Sequence, residues 1–144
     1  MPEAPKILIV DDDPDLTESM RIILESRGYR VVSAEDADSG LEKTKRERPD
    51  LILLDVMMPT GTEGFHFVWK LRGEEKSEVR EIPIIMLTAI HEQSELRFYP
   101  DQSDGTYAPG EYLPVQEFID KPVQPAELLE RVERTLRAAR GPAR

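Results

Sequence analysis

The stretch KILIVDDDP, residues 6–14, decides the fold of this chain, because a run of aliphatic residues ends abruptly on three aspartates. Apolar residues that follow one another without alternation are typical of a strand buried on both faces, as in a parallel sheet covered by helices. Asp13 followed by Pro14 predicts an N-cap and the first position of a helix. The stretch therefore predicts a strand, a polar turn and a helix in immediate succession.

The rest of the chain alternates strand and helix signals in the same way. Five strands are predicted, at residues 6–10, 30–34, 51–54, 84–87 and 117–120. Helices are predicted to start after Asp13, around residues 35–38, at about residue 64 and near Pro125. Gly28 is placed to close the first helix, and Pro49 stops the second. This alternation implies right-handed crossovers and an α/β fold with an open, doubly wound parallel sheet.

The third predicted helix, residues 64–72, illustrates how a buried face is read from the sequence. Its apolar residues include Phe65, Val68 and Trp69. We expect the first two to pack against the sheet and assign Trp69 a packing role as well.

Length and composition narrow the possible functions. The chain has 144 residues, a net charge of −10 and no cysteine. One domain of this size buries a core without disulfides. The negative charge argues against a nucleic-acid surface, and the lack of cysteine excludes thiolate sites and suits a reducing compartment. No apolar run is long enough to span a bilayer. We therefore expect a cytoplasmic domain that binds neither nucleic acid nor a membrane.

Charged and polar residues stand where the predicted strands end. Asp11 and Asp12 follow the first strand, Asp55 follows the third, Thr88 the fourth and Lys121 the fifth. Two carboxylates about 4 Å apart repel by roughly 4 kcal/mol at an effective dielectric constant of about 20. Three carboxylates in one crevice therefore call for a cation, and oxygen ligands without histidine or cysteine favour Mg²⁺ or Mn²⁺.

The same set of residues suits phosphoryl transfer to a carboxylate. Asp55 at a strand end can attack phosphorus in line, Lys121 supplies a positive charge to the phosphoryl oxygens, and the Thr88 hydroxyl can hydrogen bond to one of them. Positioning and charge neutralisation are most of what such chemistry needs from a protein.

Four motifs together give the chain a family resemblance: ILIVDDDP (residues 7–14), PDLILLDVMMP (49–59), PIIMLTA (83–89) and DKP (120–122). Over about residues 5–139 the chain resembles the receiver domains of two-component response regulators, including the single-domain chemotaxis type. The resemblance implies a flavodoxin-like, five-stranded parallel sheet of order 2-1-3-4-5. In that order the polar strand ends lie beside the topological switch point, where such folds bind ligands.

The resemblance also implies a role for each acidic residue of the motifs. Asp55 is expected to be the phosphoacceptor. Asp12 and Asp55 are expected to bind Mg²⁺ (or Mn²⁺) directly, together with the backbone carbonyl of Met57. Asp11 is expected to act on the metal through a water molecule.

The remaining implied roles concern the phosphoryl group and the response to it. Thr88 resembles the switch hydroxyl, and the Ala89 backbone amide is expected to contact the phosphoryl group. Lys121 resembles the family lysine, and its bond to Pro122 is expected to be cis. Phe118 occupies the position of the switch aromatic residue, which follows the hydroxyl inward and reshapes a protein-interaction face.

The implied partner is a phosphohistidine, on a sensor histidine kinase or a histidine phosphotransfer protein. Transfer to Asp55 followed by slow hydrolysis makes the domain a self-modifying phosphoacceptor in a signalling phosphorelay, not a turnover enzyme. The chain either acts alone through protein contacts or is one piece of a longer regulator.

The chain departs from the family pattern between the fourth and fifth strands. We predict a single receiver domain over residues 1–144, with a core of about 5–139 and a tail or linker start at 140–144. Residues 91–116 form an atypical insertion rich in Pro and Tyr. The helix usually found there is predicted to be remodelled or replaced by a long loop.

Three other functions compete with the phosphoacceptor interpretation. A haloacid-dehalogenase-type phosphatase needs Asp-x-Asp at its nucleophile, whereas Val56 and Met57 follow Asp55. A flavodoxin-like FMN module needs a phosphate loop after the first strand, where Asp11–Asp13 would repel phosphate. A pseudo-receiver that works without phosphorylation would be favoured by the loss of a site residue, and all five are present.

Overall fold

The computed structural model describes residues 4–55, 63–88 and 117–140. Its strands are β1 (Lys6–Val10), β2 (Arg30–Ala34), β3 (Leu51–Asp55), β4 (Ile84–Thr88) and β5 (Glu117–Asp120). Its helices are α1 (Pro14–Ser26), α2 (Ala37–Glu47), α3 (Glu63–Arg72), the short α4 (Ser77–Arg80) and α5 (Pro125–Arg140). None of these described helices is both long and apolar enough to cross a bilayer.

The strands form one parallel sheet in the order β2-β1-β3-β4-β5, which confirms the predicted fold. The register places Val10 beside Leu54, Asp55 beside Leu87, and Thr88 beside Asp120. The carboxyl ends of β1, β3, β4 and β5 therefore meet along one edge of the molecule.

The sheet is buried on both faces, which explains the uninterrupted aliphatic run of β1. Ile7 and Ile9 pack with buried residues of α1 and α5, whereas Leu8 and Val10 pack with α3. The α1 and α5 side of the core contributes Met20, Leu24, Leu128, Val132 and Leu136, and the α3 side contributes Phe67, Val68 and Leu71. Burial of this kind contributes about 25 cal/mol per Å² of apolar surface.

The helix ends agree with the sequence signals. The Asp13 carboxylate accepts hydrogen bonds from the Asp15 and Leu16 amides at the start of α1. Gly28, just past its end, has a φ of 90°, a conformation in which a side chain would be strained. Asp36 caps α2 through the Ser39 amide.

Three details differ from the sequence-based expectations. β3 and β4 each run one residue further, so Asp55 and Thr88 are the last strand residues. Trp69 is expected to pack, but it is 50% exposed. Phe67, Val68 and Leu71 are the described α3 side chains that face the core, and the expected packing of Phe65 falls outside the described side chains. The short helix α4 was not predicted, because four residues are too few to show a helical period. The expected remodelling within residues 91–116 falls outside the described residues.

Candidate functional site

Three aspartates converge at the carboxyl ends of two neighbouring strands. Asp11 and Asp12 directly follow β1, and Asp55 ends β3, which pairs with β1. One oxygen from each carboxylate can be chosen so that all three lie within 4.8 Å of one another. Asp11 and Asp55 are each only 2% exposed, whereas Asp12 is exposed to solvent. The three carboxylates of Asp11, Asp12 and Asp55 therefore form a cluster, called the carboxylate nest below, in which two members are buried and Asp12 faces solvent.

Asp11 is held firmly but is not fully satisfied. Its backbone amide donates to the Ala34 carbonyl at 3.0 Å, and its Oδ1 accepts from the Asp13 amide at 2.9 Å. Its buried Oδ2 has no hydrogen-bond partner among the described residues. Burial raises the pKa of the Asp11 carboxyl to about 7, and the negative charge of Asp55 adds to the rise. A cation at this point would relieve both the missing contact and the repulsion.

A positive charge reaches the three aspartates from the carboxyl end of β5. Lys121, directly after β5, donates from Nζ to Asp55 Oδ1 at 2.9 Å. Its side chain is 26% exposed, so the ammonium keeps some access to solvent. The bond from Lys121 to Pro122 is cis, as expected. The Asp55 carboxylate thus lies between an ammonium and two further carboxylates.

The other residues assigned from the sequence are only partly described. The backbone of Thr88 lies at the end of β4, between the ends of β3 and β5. Phe118 lies on β5 beside Met86 and packs, partly buried, against the α3 side of the core. The Thr88 side chain, Met57 and Ala89 fall outside what the structure describes.

A partly open cavity of about 270 Å³ adjoins the aspartates. Besides Asp11 and Asp12, it is lined by Pro14, Thr17, Glu18, Arg21, Ser33, Ala34 and Glu35. Neither Arg21 nor Ser33 stands out in the sequence, because a single arginine on an amphipathic helix and a single serine in a strand are ordinary surface residues. Only the packing of α1 on β2 brings these residues to the site.

The donor set fits a hard divalent cation. All three side chains offer carboxylate oxygens, which Mg²⁺ prefers, and one of those oxygens, Asp11 Oδ2, is buried without a partner in the part of the chain that the structure describes. The buried charges next to an open face leave room for water, which Mg²⁺ usually retains. The residues present therefore suit magnesium on chemical grounds.

The sequence profile of the response regulator receiver domain matches residues 7–101, about two-thirds of the chain. This chain belongs to the response regulator receiver domain family. Receiver domains of this family are phosphoacceptors that bind Mg²⁺ at an acidic pocket and are phosphorylated by histidine kinases; they are generally not turnover enzymes.

Curated relatives agree with that assignment. The chain is 36% identical over 135 residues to the phosphate regulon transcriptional regulatory protein PhoB of Escherichia coli, covering 93% of this chain and 52% of PhoB. It is 34% identical over 134 residues to the transcriptional regulator RpaA of Synechocystis, covering 92% of this chain and 49% of RpaA. The chain therefore spans about half the length of these curated relatives.

Solved structures share the receiver fold. The chemotaxis protein CheY4 of Vibrio cholerae superposes with a TM-score of 0.72 at 29% identity, covering 92% of this chain and 98% of CheY4. The receiver domain of a sensor histidine kinase from Pseudomonas aeruginosa gives 0.71 at 28% identity, with coverages of 92% and 98%. That structure carries a magnesium ion coordinated in its active-site cleft.

Proposed function

We propose that Asp55 accepts a phosphoryl group from a phosphohistidine on a sensor histidine kinase or a histidine phosphotransfer protein. One observation carries the proposal. The Asp55 carboxylate is buried at a strand end, with the Lys121 ammonium 2.9 Å from Oδ1 and two further carboxylates beside it. A buried nucleophile flanked by a cation and a cation-binding nest is suited to receive a highly charged group.

The transfer step balances as a displacement at phosphorus. A carboxylate oxygen of Asp55 forms a bond to phosphorus while the P–N bond of the donor breaks, and the electron pair of that bond returns to the donor imidazole. Lys121, already on the Asp55 carboxylate, follows the charge onto the phosphoryl oxygens. Later attack by water on phosphorus releases phosphate and restores the Asp55 carboxylate.

We assign the metal ligands on the same basis. Asp12 and Asp55 would hold Mg²⁺ (or Mn²⁺) directly, with the Met57 carbonyl, and Asp11 would contribute through a bound water. The cation, when bound, neutralises the carboxylates and the incoming phosphoryl oxygens. Asp11 fits an outer role in which Oδ1 accepts from the Asp13 amide, while a metal-bound water would supply Oδ2 with the partner that it lacks among the described residues.

The output is a change in protein contacts. In this proposal Thr88 and the Ala89 amide bind the phosphoryl group, and the Phe118 ring follows Thr88. Partial burial of Phe118 against the core is consistent with a ring that can take up two positions. We further propose that residues 1–144 form one receiver domain with a core of about 5–139. Residues 91–116 are an insertion in this domain, and residues 140–144 are its tail or the start of a linker.

The direct test is phosphorylation by a small-molecule donor. The protein is incubated with acetyl phosphate and Mg²⁺ and its intact mass is measured. Wild type should gain one phosphoryl group, and Asp55→Asn should gain none. Asp36→Asn is a matched control, because Asp36 is an exposed helix cap outside the nest; it should be labelled like wild type.

The outcomes separate the proposal from its rival. Labelling of Asp55→Asn would place the acceptor on another residue. A folded wild-type protein that binds Mg²⁺ but is not labelled by acetyl phosphate or by a phosphorylated kinase would show that the domain works without phosphorylation, as a pseudo-receiver.

A further inference from the structure

The edge strand β2 determines where the Asp11 backbone lies. β2 pairs only with β1 among the described strands, so one side of it has no strand neighbour. The Arg30 backbone amide donates to the Pro5 carbonyl at 2.9 Å, and the Ala34 carbonyl accepts from the Asp11 amide at 3.0 Å. Because backbone groups alternate in direction along a strand, the carbonyls of Val31 and Ser33 point to the open side.

A cation from α1 covers this open side. Arg21 donates from Nη1 to the Val31 carbonyl and from Nη2 to Ser33 Oγ, both at 3.3 Å. Two glutamates of the same helix hold the guanidinium, Glu18 at 3.5 Å from Nε and Glu25 at 3.9 Å from Nη1. Arg21 is thus oriented by its own helix and directed at the last residues of β2.

A second cation reaches the same residue from the opposite face of the sheet. Lys43 of α2 donates from Nζ to the Ser33 carbonyl. α1 packs on the face formed by Ile7 and Ile9, whereas Leu41 of α2 packs against the other core cluster. Ser33 is therefore held through its hydroxyl from one side and through its carbonyl from the other.

We propose that Arg21 and Lys43 clamp the free edge of β2 and so position Asp11 for magnesium; this rests on the metal site of the proposed function. Ser33 is clamped, the next residue, Ala34, accepts from the Asp11 amide, and Asp11 presents its carboxylate to the nest. Arg21, Ser33, Ala34 and Asp11 also line one cavity, so the clamp and the carboxylate are physically continuous.

The physical basis is the weakness of an unsupported strand end. An edge strand with open carbonyls frays more readily than one paired on both sides, and fraying of β2 would release the Asp11 amide. Mg²⁺ demands nearly fixed octahedral geometry, so small displacements of one participant weaken binding. Loss of a direct partner of a metal ligand costs about 10–100-fold in affinity; one step further out we expect about 3–10-fold.

The test uses the full chain and compares Arg21→Met, Lys43→Met and the double variant. Methionine keeps the aliphatic length and removes the donors. Magnesium dissociation constants are measured by calorimetric titration, and metal-free stability by urea denaturation. Lys45→Met is the matched control, because Lys45 lies on the same helix but pairs with Glu74 at 3.1 Å. Lys43→Arg should restore the affinity.

Hydrogen exchange at the Asp11 amide supplies a readout that needs no metal. The double variant should exchange this amide several-fold faster than Lys45→Met, while amides in the centre of β3 exchange as in wild type. This measurement tests the clamp even if the wild-type protein binds no Mg²⁺, an outcome that would instead overturn the proposed function.

Two results would overturn the clamp. The first is a double variant with the wild-type magnesium constant and the wild-type Asp11 exchange rate. The second is a loss of affinity that only parallels the loss of overall stability, with Lys45→Met giving the same relation; Arg21 and Lys43 would then be ordinary stabilising residues.

Discussion

The two ends of the sheet treat charge in opposite ways. At the amino end, Lys6 Nζ lies 2.8 Å from Glu47, and the Lys6 amide donates to Asp50 at 2.8 Å. At the carboxyl end, three carboxylates share one nest, and the Lys121 ammonium contacts one of them, Asp55. One end pairs its charges, and the other leaves negative charge in excess.

This difference shows which end is built for stability and which for binding. The Lys6–Glu47 pair is partly exposed, and a one-to-one pair with this access to solvent contributes little to stability and adds no reactivity. A buried carboxylate such as Asp11, whose Oδ2 has no partner among the described residues, lowers stability unless a cation joins it, so its presence requires a functional reason. Substitutions at the two ends should therefore have effects of different kinds.

The largest effect is expected at Lys121. Replacing Lys121 by Met removes the ammonium from Asp55 and should slow labelling by acetyl phosphate by about 10²–10³-fold, the usual consequence of losing one donor to developing negative charge. Lys6→Met removes an ammonium of the amino end and should leave the labelling rate within about twofold of wild type. Time courses of intact mass at saturating Mg²⁺ give both rates. Equal slowing in the two variants would remove the distinction between the ends.

The next effect concerns metal binding by Asp12. Asp12→Asn should weaken Mg²⁺ binding by roughly 100-fold, since a direct ligand matters at least as much as the outer partners that cost about 10–100-fold. The control is Asp50→Asn at the amino end, where the amide oxygen can still accept from Lys6. Calorimetric titration should find the wild-type constant for that control. A wild-type constant for Asp12→Asn would mean that the cation, if bound, lies elsewhere.

Substitution of Asp11 is expected to raise the stability of the metal-free protein and to lower its affinity for Mg²⁺. At pH 8, above the raised pKa of about 7, Asp11→Asn should stabilise the metal-free protein by about 1–2 kcal/mol, because it removes a buried charge whose Oδ2 lacks a described partner. The same variant should bind Mg²⁺ more weakly. Urea denaturation in a chelator measures the gain, and repetition with Mg²⁺ should reduce or reverse it. A destabilised metal-free variant would contradict the view that this carboxylate costs stability.

The sequence was sufficient for the fold because the decisive signals are local. The aliphatic run that ends at Val10, the Asp13-Pro14 cap and Gly28 each act within a few residues, and the structure agrees with all of them. The strand order and the family followed from motifs at strand ends.

Contacts between distant segments were not readable in the same way. The roles of Arg21 and Lys43 depend on two helices packing on opposite faces of β2, and no local pattern shows that. The exposure of Trp69 depends on the rotation of α3 about its axis. Apolar residues that follow one another in the sequence, such as Phe67, Val68 and Trp69, define that rotation only loosely. The roles assigned to the aspartates, Thr88, Lys121 and Phe118 stay predictions for the experiments above.

The smallest effect is expected at Asp36, which can be compared with Asp11 at the same end of the sheet. Asp36 also follows a strand there, but it is exposed and caps α2, and the Ser39 amide holds the pKa of its carboxyl below the ordinary value. A lowered pKa stabilises the fold above the unfolded value of about 4, and this stabilisation is lost as the pH falls through the folded value.

Asp36→Ala should therefore cost about 1 kcal/mol at pH 7 and less at pH 3, whereas Asp36→Asn should keep most of the cap at both pH values. Urea denaturation of the metal-free protein at the two pH values measures these differences. An equal cost for Asp36→Ala at pH 7 and pH 3 would mean that the charge of this aspartate adds nothing to its cap. The result expected here, a carboxylate that stabilises where it is exposed and capped, is the opposite of the one expected for Asp11, although both residues follow strands at the same edge of the sheet. Burial, together with the lack of a described partner for Asp11 Oδ2, would then distinguish Asp11 from Asp36 better than position at the carboxyl end does.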